Sequence, residues 1–244
     1  MGDGKLIVAH RGGKSRWHEN TLEAVQEAIR CGADMVEFDV RRTADGEIIV
    51  HHDEAIGERA LAEMEYAEAL RRSTALGYRI PRVSELLDVA SGRILLDIEL
   101  KESGYEASLI RLVFERQFRV SDFAVTSFDV AVLKRVREVN PDVTIGLLVY
   151  DMTGEEALKR FQQARANFLG PDYKLLDEPT LSEAAASSVP LLPWTVNDPA
   201  VIRTLLRAPA VIGVITDQPI NALAIRNEEV LRTLGPEPLP WRKR

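Results

Sequence analysis

One cysteine in 244 residues, Cys31, leaves no possibility of an internal disulfide, so the fold must be held by its core, and a reducing compartment is compatible. No apolar run reaches 18 residues, and no basic-then-apolar leader opens the chain, so neither a membrane span nor secretion is expected. Met1-Gly2-Asp3-Gly4-Lys5-Leu6 also lacks the hydroxyl residue of a myristoylation signal, and a cytoplasmic protein without stable membrane insertion is the expectation. Positive charge is in short supply, with 31 Lys and Arg against 38 Asp and Glu and a net charge of −7. That balance argues against nucleic acid or an anionic membrane as a main partner. An anionic substrate would need positive charge supplied locally by the site. There is no repeat at a fixed period and no low-complexity tract. What remains is ordinary for a globular protein, 45% apolar and 28% charged, enough for a sizeable core.

Strand-like runs alternate with helical patterns along the whole length. Strands are predicted near Leu6–His10, Met35–Arg41, Ile94–Leu100, Phe123–Ser127, Thr144–Leu148, Phe168–Pro171, Leu191–Val196 and Val211–Thr216. Each is followed by a helical segment, which predicts an α/β fold, a single (β/α)8 TIM barrel over residues 1–234. Ile48–His51 does not fit that count. It follows the second strand after six residues, too few for a parallel crossover, and Asp45-Gly46 is a hairpin signal. A hairpin and a short, partly helical insertion, about 43–82, are therefore expected after strand two. Residues 235–244, rich in proline, are expected to form a frayed tail. Cys31 closes a helix and is expected to be buried.

Residues able to do chemistry concentrate between Ile7 and Asp53. Alternate side chains of a strand share a face, so Glu37 and Asp39 point the same way, about 7 Å apart. In such a barrel the site lies at the carboxyl ends of the strands. Those ends carry His10 and Arg11, then Glu37 and Asp39, then Asp97, Glu99 and Lys101, then Ser127, Trp194, Asn197, Thr216 and Asp217. A hairpin with Arg41 opposite Ile48 would set Glu37 opposite His52 and favour His52 over its neighbour His51. Two carboxylates on one inner face repel each other and lose solvation unless a cation joins them. That cation is either a metal ion or a salt-bridge network with Arg11 and Lys101.

The order of these motifs resembles the glycerophosphodiester phosphodiesterase family, phosphodiesterase barrels akin to phosphatidylinositol phospholipase C. The residues carrying the resemblance are His10-Arg11-Gly12, Glu19-Asn20-Thr21, Gly32-Ala33-Asp34 with Glu37-Phe38-Asp39-Val40, and Asp45-Gly46 with His52-Asp53. They continue with Ile98-Glu99-Leu100-Lys101, Ser127-Phe128-Asp129, Trp194-Thr195-Val196-Asn197 and Ile215-Thr216-Asp217-Gln218-Pro219. The resemblance implies that His10 and His52 are an acid–base pair, that Glu37, Asp39 and Glu99 hold a divalent metal, that Arg11 and Lys101 contact phosphate, and that Trp194 walls the glycerol part. It implies a small-molecule glycerophosphodiester as substrate and sn-glycerol 3-phosphate with an alcohol as products. Two segments depart from the family pattern: Lys14-Ser15-Arg16-Trp17-His18 replaces a proline before Glu19, and Glu54-Ala55-Ile56-Gly57-Glu58-Arg59 replaces Leu-x-Arg-Thr-Thr.

The chemistry stands without the name. A phosphodiester is a stable anion that repels nucleophiles, so catalysis is mainly charge stabilisation and positioning. An oxygen-only donor set suits one hard cation, magnesium or calcium, rather than zinc. Arg11 can hold a phosphoryl oxygen through two donors. Attack by water and attack by the neighbouring glycerol hydroxyl are both open. So are a cyclising lyase or a phospholipase-D-like reaction on a lysolipid, and a binding protein that has lost catalysis.

Overall fold

The structure, a computed structural model, describes residues 4–152 and 154–234. The tail expected at 235–244 lies outside the described residues.

The strands are β1 (Leu6–Ala9), β2 (Met35–Arg42), β3 (Ile48–Val50), β4 (Ala55–Ile56), β5 (Arg59–Ala60), β6 (Leu95–Leu100), β7 (Phe123–Ser127), β8 (Thr144–Val149), β9 (Phe168–Pro171) and β10 (Gly213–Thr216). The helices are α1 (Leu22–Cys31), α2 (Tyr66–Ala75), α3 (Val83–Ala90), α4 (Glu106–Glu115), α5 (Val130–Val139), α6 (Gly154–Ala164), α7 (Glu178–Ala186), α8 (Pro199–Arg207) and α9 (Pro219–Leu234). Seven strands pair in the parallel order β10-β1-β2-β6-β7-β8-β9. The remaining rung, the seventh in chain order and expected as a strand over Leu191–Val196, is not a continuous ladder. It touches its neighbours through isolated bridges, Leu191 to Leu169 and Val211, and Trp194 to Asp172. Pro190 and Pro193 have no N–H to give, but their carbonyls still accept from Leu169 and Ile215, so the ring closes with gaps in its hydrogen bonding. The architecture is a (β/α)8 barrel.

Alternation along each strand divides two apolar layers. Outward-facing Ile7, Val36, Phe38, Leu96, Ile98 and Val125 are fully buried against the helices. Inward, Val8, Met35, Ala124, Phe168, Leu192 and Ile215 fill the lower barrel. Gly146 on β8 makes room there, since a Cβ at that position would lie 2.2 Å from the Phe168 ring. Above this plug the inward positions turn acidic. Pairing of β2 with β6 sets Glu37 opposite Asp97 and Asp39 opposite Glu99.

The hairpin after β2 is present, closed by Thr43 and Glu47 around Asp45-Gly46, but its register differs by one residue from the expected one. Arg41 faces Ile49 and Val40 faces Val50. The N–H of His51 then donates to the Asp39 carbonyl, and no residue of the ladder lies opposite Glu37. The difference comes from the turn, which spends Thr43 through Glu47 as loop and starts pairing at Arg42 with Ile48. Residues 53–82 add the small β4–β5 hairpin and α2. They share an apolar cluster of Ile49, Ile56, Leu61, Met64, Tyr66, Ala69 and Ile80, distinct from the barrel core. Cys31 is half-buried rather than buried, its thiol donating to the Ala28 carbonyl. Among the described residues no helix is long and apolar enough to cross a membrane.

Candidate active site

β1 ends at Ala9, and the chain bends at once through His10-Arg11-Gly12-Gly13. Arg11 lies in the left-handed region (φ 52°) and Gly12 at φ 91°. A Cβ on Gly12 would sit 2.7 Å from the Ala24 backbone carbon, so only glycine lets the turn lie against α1. The Arg11 N–H donates to Glu37 Oε2 at 2.9 Å, which ties this strained turn to the inner face of β2.

Glu19, Asn20 and Thr21 each orient one thing. Glu19 Oε1 accepts from the Arg11 guanidinium at 2.7 Å. Asn20 donates to Asp39 Oδ2 at 2.7 Å and accepts from the Asp39 N–H at 3.2 Å. Thr21 caps α1 by accepting from the Ala24 N–H.

Glu37, Asp39 and Glu99 each present one oxygen within 4.8 Å of the others, and all three are buried. Arg11 Nε lies 3.1 Å from Asp39 Oδ2, and Lys101 Nζ 2.9 Å from Asp39 Oδ1. Lys101 also pairs with Glu99. Arg11 Nε and Asp39 Oδ1 make these contacts off the hydrogen-bonding axis, and among the described residues Glu37 Oε1 has no hydrogen-bond partner. The salt-bridge alternative is thus present at Asp39, whereas at Glu37 the Arg11 charge offsets burial and the neighbouring carboxylates only in part. Burial raises every carboxyl here, and the balance of charges then separates them. At Asp39 the Lys101 and Arg11 cations overcome burial and hold the carboxyl at about 2. Glu99, buried and facing the Asp39 anion, is pushed up to about 7 despite Lys101. Asp97, buried and only partly relieved by the Thr126 hydroxyl, is also at about 7. Glu37 stands well above its ordinary value through burial and then the charges of Asp39, Glu99 and Asp97. A buried, all-oxygen group of mutually repelling carboxylates fits a hard divalent cation.

His10 and His52 both border the cavity beside this cluster, which has a volume of about 140 Å³. His10 Nδ1 pairs with Asp217 Oδ1 at 2.7 Å, and its Nε2 lies 3.9 Å from Glu37 Oε2. Asn197 donates to Asp217 Oδ2 at 2.7 Å, while its own carbonyl accepts from the Asp217 N–H and the Thr216 hydroxyl. His52 Nδ1 pairs with Asp53 Oδ1 at 2.7 Å. β3 stops at Val50, so His52 takes its direction from the bend that follows rather than from the ladder. His51 is buried beneath Tyr78 instead. Trp194 donates to the Gly170 carbonyl at 2.8 Å and meets Phe128 edge-on at 5.5 Å, and both rings line the cavity. Trp17 is exposed, and Lys174 lies outside the cavity.

The eight residues singled out from sequence are thus brought together, with Asp39 directly beneath the rim that the other seven line. Asp217, Asn197 and Asn20 carried no role in the sequence reading. Barrel closure was the available signal for Asp217: the strand carrying it must be the neighbour of β1, which sets it beside His10.

The sequence matches the glycerophosphoryl diester phosphodiesterase family over residues 10–221. It is 30% identical over 232 residues to a glycerophosphodiester phosphodiesterase of Caldanaerobacter subterraneus subsp. tengcongensis, covering 88% of this chain and 94% of that protein. The fold is similar to that of a glycerophosphodiester phosphodiesterase from Thermotoga maritima, with TM-score 0.76, 25% identity, and coverage of 92% and 100% of the two chains. It is also similar to an Oleispira antarctica phosphodiesterase solved with its product sn-glycerol-3-phosphate, with TM-score 0.80, 22% identity, and coverage of 91% and 96%.

Proposed function

The chain belongs to the glycerophosphoryl diester phosphodiesterase family, and from that premise we propose that this phosphoric diester hydrolase is a metal-dependent glycerophosphodiester phosphodiesterase. It hydrolyses glycerophosphodiesters to sn-glycerol 3-phosphate and an alcohol, with His10 and His52 as the acid–base pair. The observation that carries the reading is two histidines, each held at Nδ1 by a carboxylate at 2.7 Å, bordering one cavity with a three-carboxylate cluster and two cations.

The Asp217 carboxylate fixes a proton on His10 Nδ1 and leaves Nε2 free to accept one from the attacking hydroxyl. His52, held by Asp53 and bordering the same cavity, gives its Nε2 proton to the departing alkoxide. Arg11 and Lys101 bind phosphoryl oxygens, and Trp194 with Phe128 gives the glycerol carbons an apolar wall. Glu37, Asp39 and Glu99 would hold one magnesium or calcium ion. When bound, that cation supplies Lewis-acid stabilisation of negative charge on oxygen.

The test is turnover of several glycerophosphodiesters with added divalent metal, followed by phosphorus NMR. Direct attack by water gives sn-glycerol 3-phosphate, and attack by the glycerol hydroxyl gives a cyclic phosphate first. His10→Ala and His52→Ala should each lower kcat by about 10²–10⁴-fold with the circular dichroism spectrum unchanged. Full activity in either variant removes that residue from the mechanism.

A further inference from the structure

Beside the reaction cavity lies a second, larger chamber of about 320 Å³, and His52 borders both. It is lined by His18 and by Ala55, Ile56 and Gly57 from the two segments that depart from the family pattern, 14–18 and 54–59, with Leu76 and Tyr78, the Glu19-Asn20 turn and the residues just after β3. Tyr78 forms one wall. Its ring stacks on His18 at 3.8 Å and 10°, and the His51 ring lies parallel to it at 6.2 Å and 7°. Glu19 and Asp53 contribute carboxylates, each engaged through one oxygen, and among the described residues no lysine or arginine lines the chamber.

Resting on the phosphodiesterase reading above, we propose that this chamber receives the departing alcohol and selects a short one bearing a primary ammonium. Location is the first argument. The group that gives a proton to the departing oxygen as the P–O bond breaks must stand between phosphate and leaving group, and His52 stands between the two cavities. Charge is the second. Glu19 and Asp53 each keep one oxygen outside their pairs with Arg11 and His52, which disfavours an anionic alcohol and offers acceptors to an ammonium. The third separates primary from quaternary ammonium. A trimethylammonium group has no N–H for those oxygens and is held by open aromatic faces, whereas the His18 imidazole covers one face of Tyr78 at 3.8 Å.

The experiment compares kcat/KM of the metal-loaded enzyme on four sn-glycerol 3-phosphate diesters: methyl, 2-aminoethyl, 2,3-dihydroxypropyl and 2-(trimethylammonio)ethyl. The aminoethyl ester should exceed the trimethylammonioethyl ester by about tenfold or more, with the dihydroxypropyl ester between them. His18 is exposed, so His18→Ala should fold normally and uncover Tyr78. It should narrow the gap to about threefold through faster turnover of the trimethylammonioethyl ester, with the methyl ester unchanged. Leu76→Trp, at a position 63% exposed on the chamber rim, adds an aromatic face and should act in the same direction. A trimethylammonioethyl ester equal to the aminoethyl ester in the wild type overturns the selectivity. A faster dihydroxypropyl ester overturns the role of charge. Variants that change nothing, or that slow the methyl ester as much as the others, overturn the chamber as the leaving-group site. Failure to turn over any of the four, methyl included, overturns the phosphodiesterase reading itself.

Discussion

Replacing Glu99 by glutamine should make the metal-free protein more stable while abolishing a ligand. Glu99 is nine-tenths buried beside Asp39, and its carboxyl stands at about 7 against an ordinary 4.5. A group whose affinity for protons is raised by folding stabilises the native state below its unfolded value, and that contribution is lost as pH rises through the folded one. Above pH 7 the native protein must hold an ionised Glu99 at a cost of about 3 kcal/mol, from 1.36 kcal/mol per pH unit. At pH 5 the same linkage leaves about 1 kcal/mol. Lys101 keeps Asp39 as its partner when Glu99 is neutralised. Asp39, depressed to about 2, adds stability above its ordinary 3.8 that fades only as pH falls toward 2, outside this window. For a chain of this size 1 kcal/mol moves Tm by about 2–4 °C, so Glu99→Gln should melt about 6–12 °C above wild type at pH 8 and about 2–4 °C above it at pH 5. Differential scanning calorimetry in excess chelator reads both. With saturating magnesium or calcium the wild type should recover, since a ligand bound only by the native state stabilises it, by about 2.7 kcal/mol at 100 Kd. A Glu99→Gln protein that melts below wild type in chelator at pH 8, or a difference independent of pH, would refute the argument.

Chelation should stop turnover and lower Tm, and magnesium or calcium should restore both without zinc; full activity after exhaustive chelation would return the carboxylates to an ion-pair role. Asp217→Asn keeps the shape of the His10 partner but loses its charge, so kcat should fall on the order of 10²-fold, with KM for the same diester little changed. Gly146→Ala puts a methyl group into the Phe168 ring, and the overpacking should cost about 1–3 kcal/mol, seen in a urea titration as a lower midpoint at unchanged slope.

The alternation of strand and helix, the hairpin at Asp45-Gly46 and the acidic inner face of β2 and β6 were legible because each is local. Period-2 and period-3.6 patterns and turn chemistry are written within a few residues of one another. Likewise Glu37-x-Asp39 and Asp97-x-Glu99-x-Lys101 had to project together once their strands were recognised. The seventh rung was legible as extended chain but not as a broken ladder, which depends on which carbonyls its prolines leave without a matching N–H.

What tertiary structure decided is how these pieces meet. The hairpin register slipped by one residue from the expected one, because the number of residues held in the turn is set by Thr43 closing on Glu47 and by hydrogen bonds from Ala44 N–H to the Met64 carbonyl and from Tyr66 N–H to the Asp45 carboxylate. His52 borders the cavity for a reason no pairing rule supplied: the ladder ends at Val50 and the bend beyond it sets the direction of the side chain. Asp217 comes to His10 across 207 residues because the barrel closes, and the His18–Tyr78–His51 stack joins three segments for the same kind of reason. Sequence determined the kinds of group that converge at the strand ends. Distances, proton affinities and the wall between the two chambers arose only on folding, since they depend on burial and on neighbours far apart in the chain.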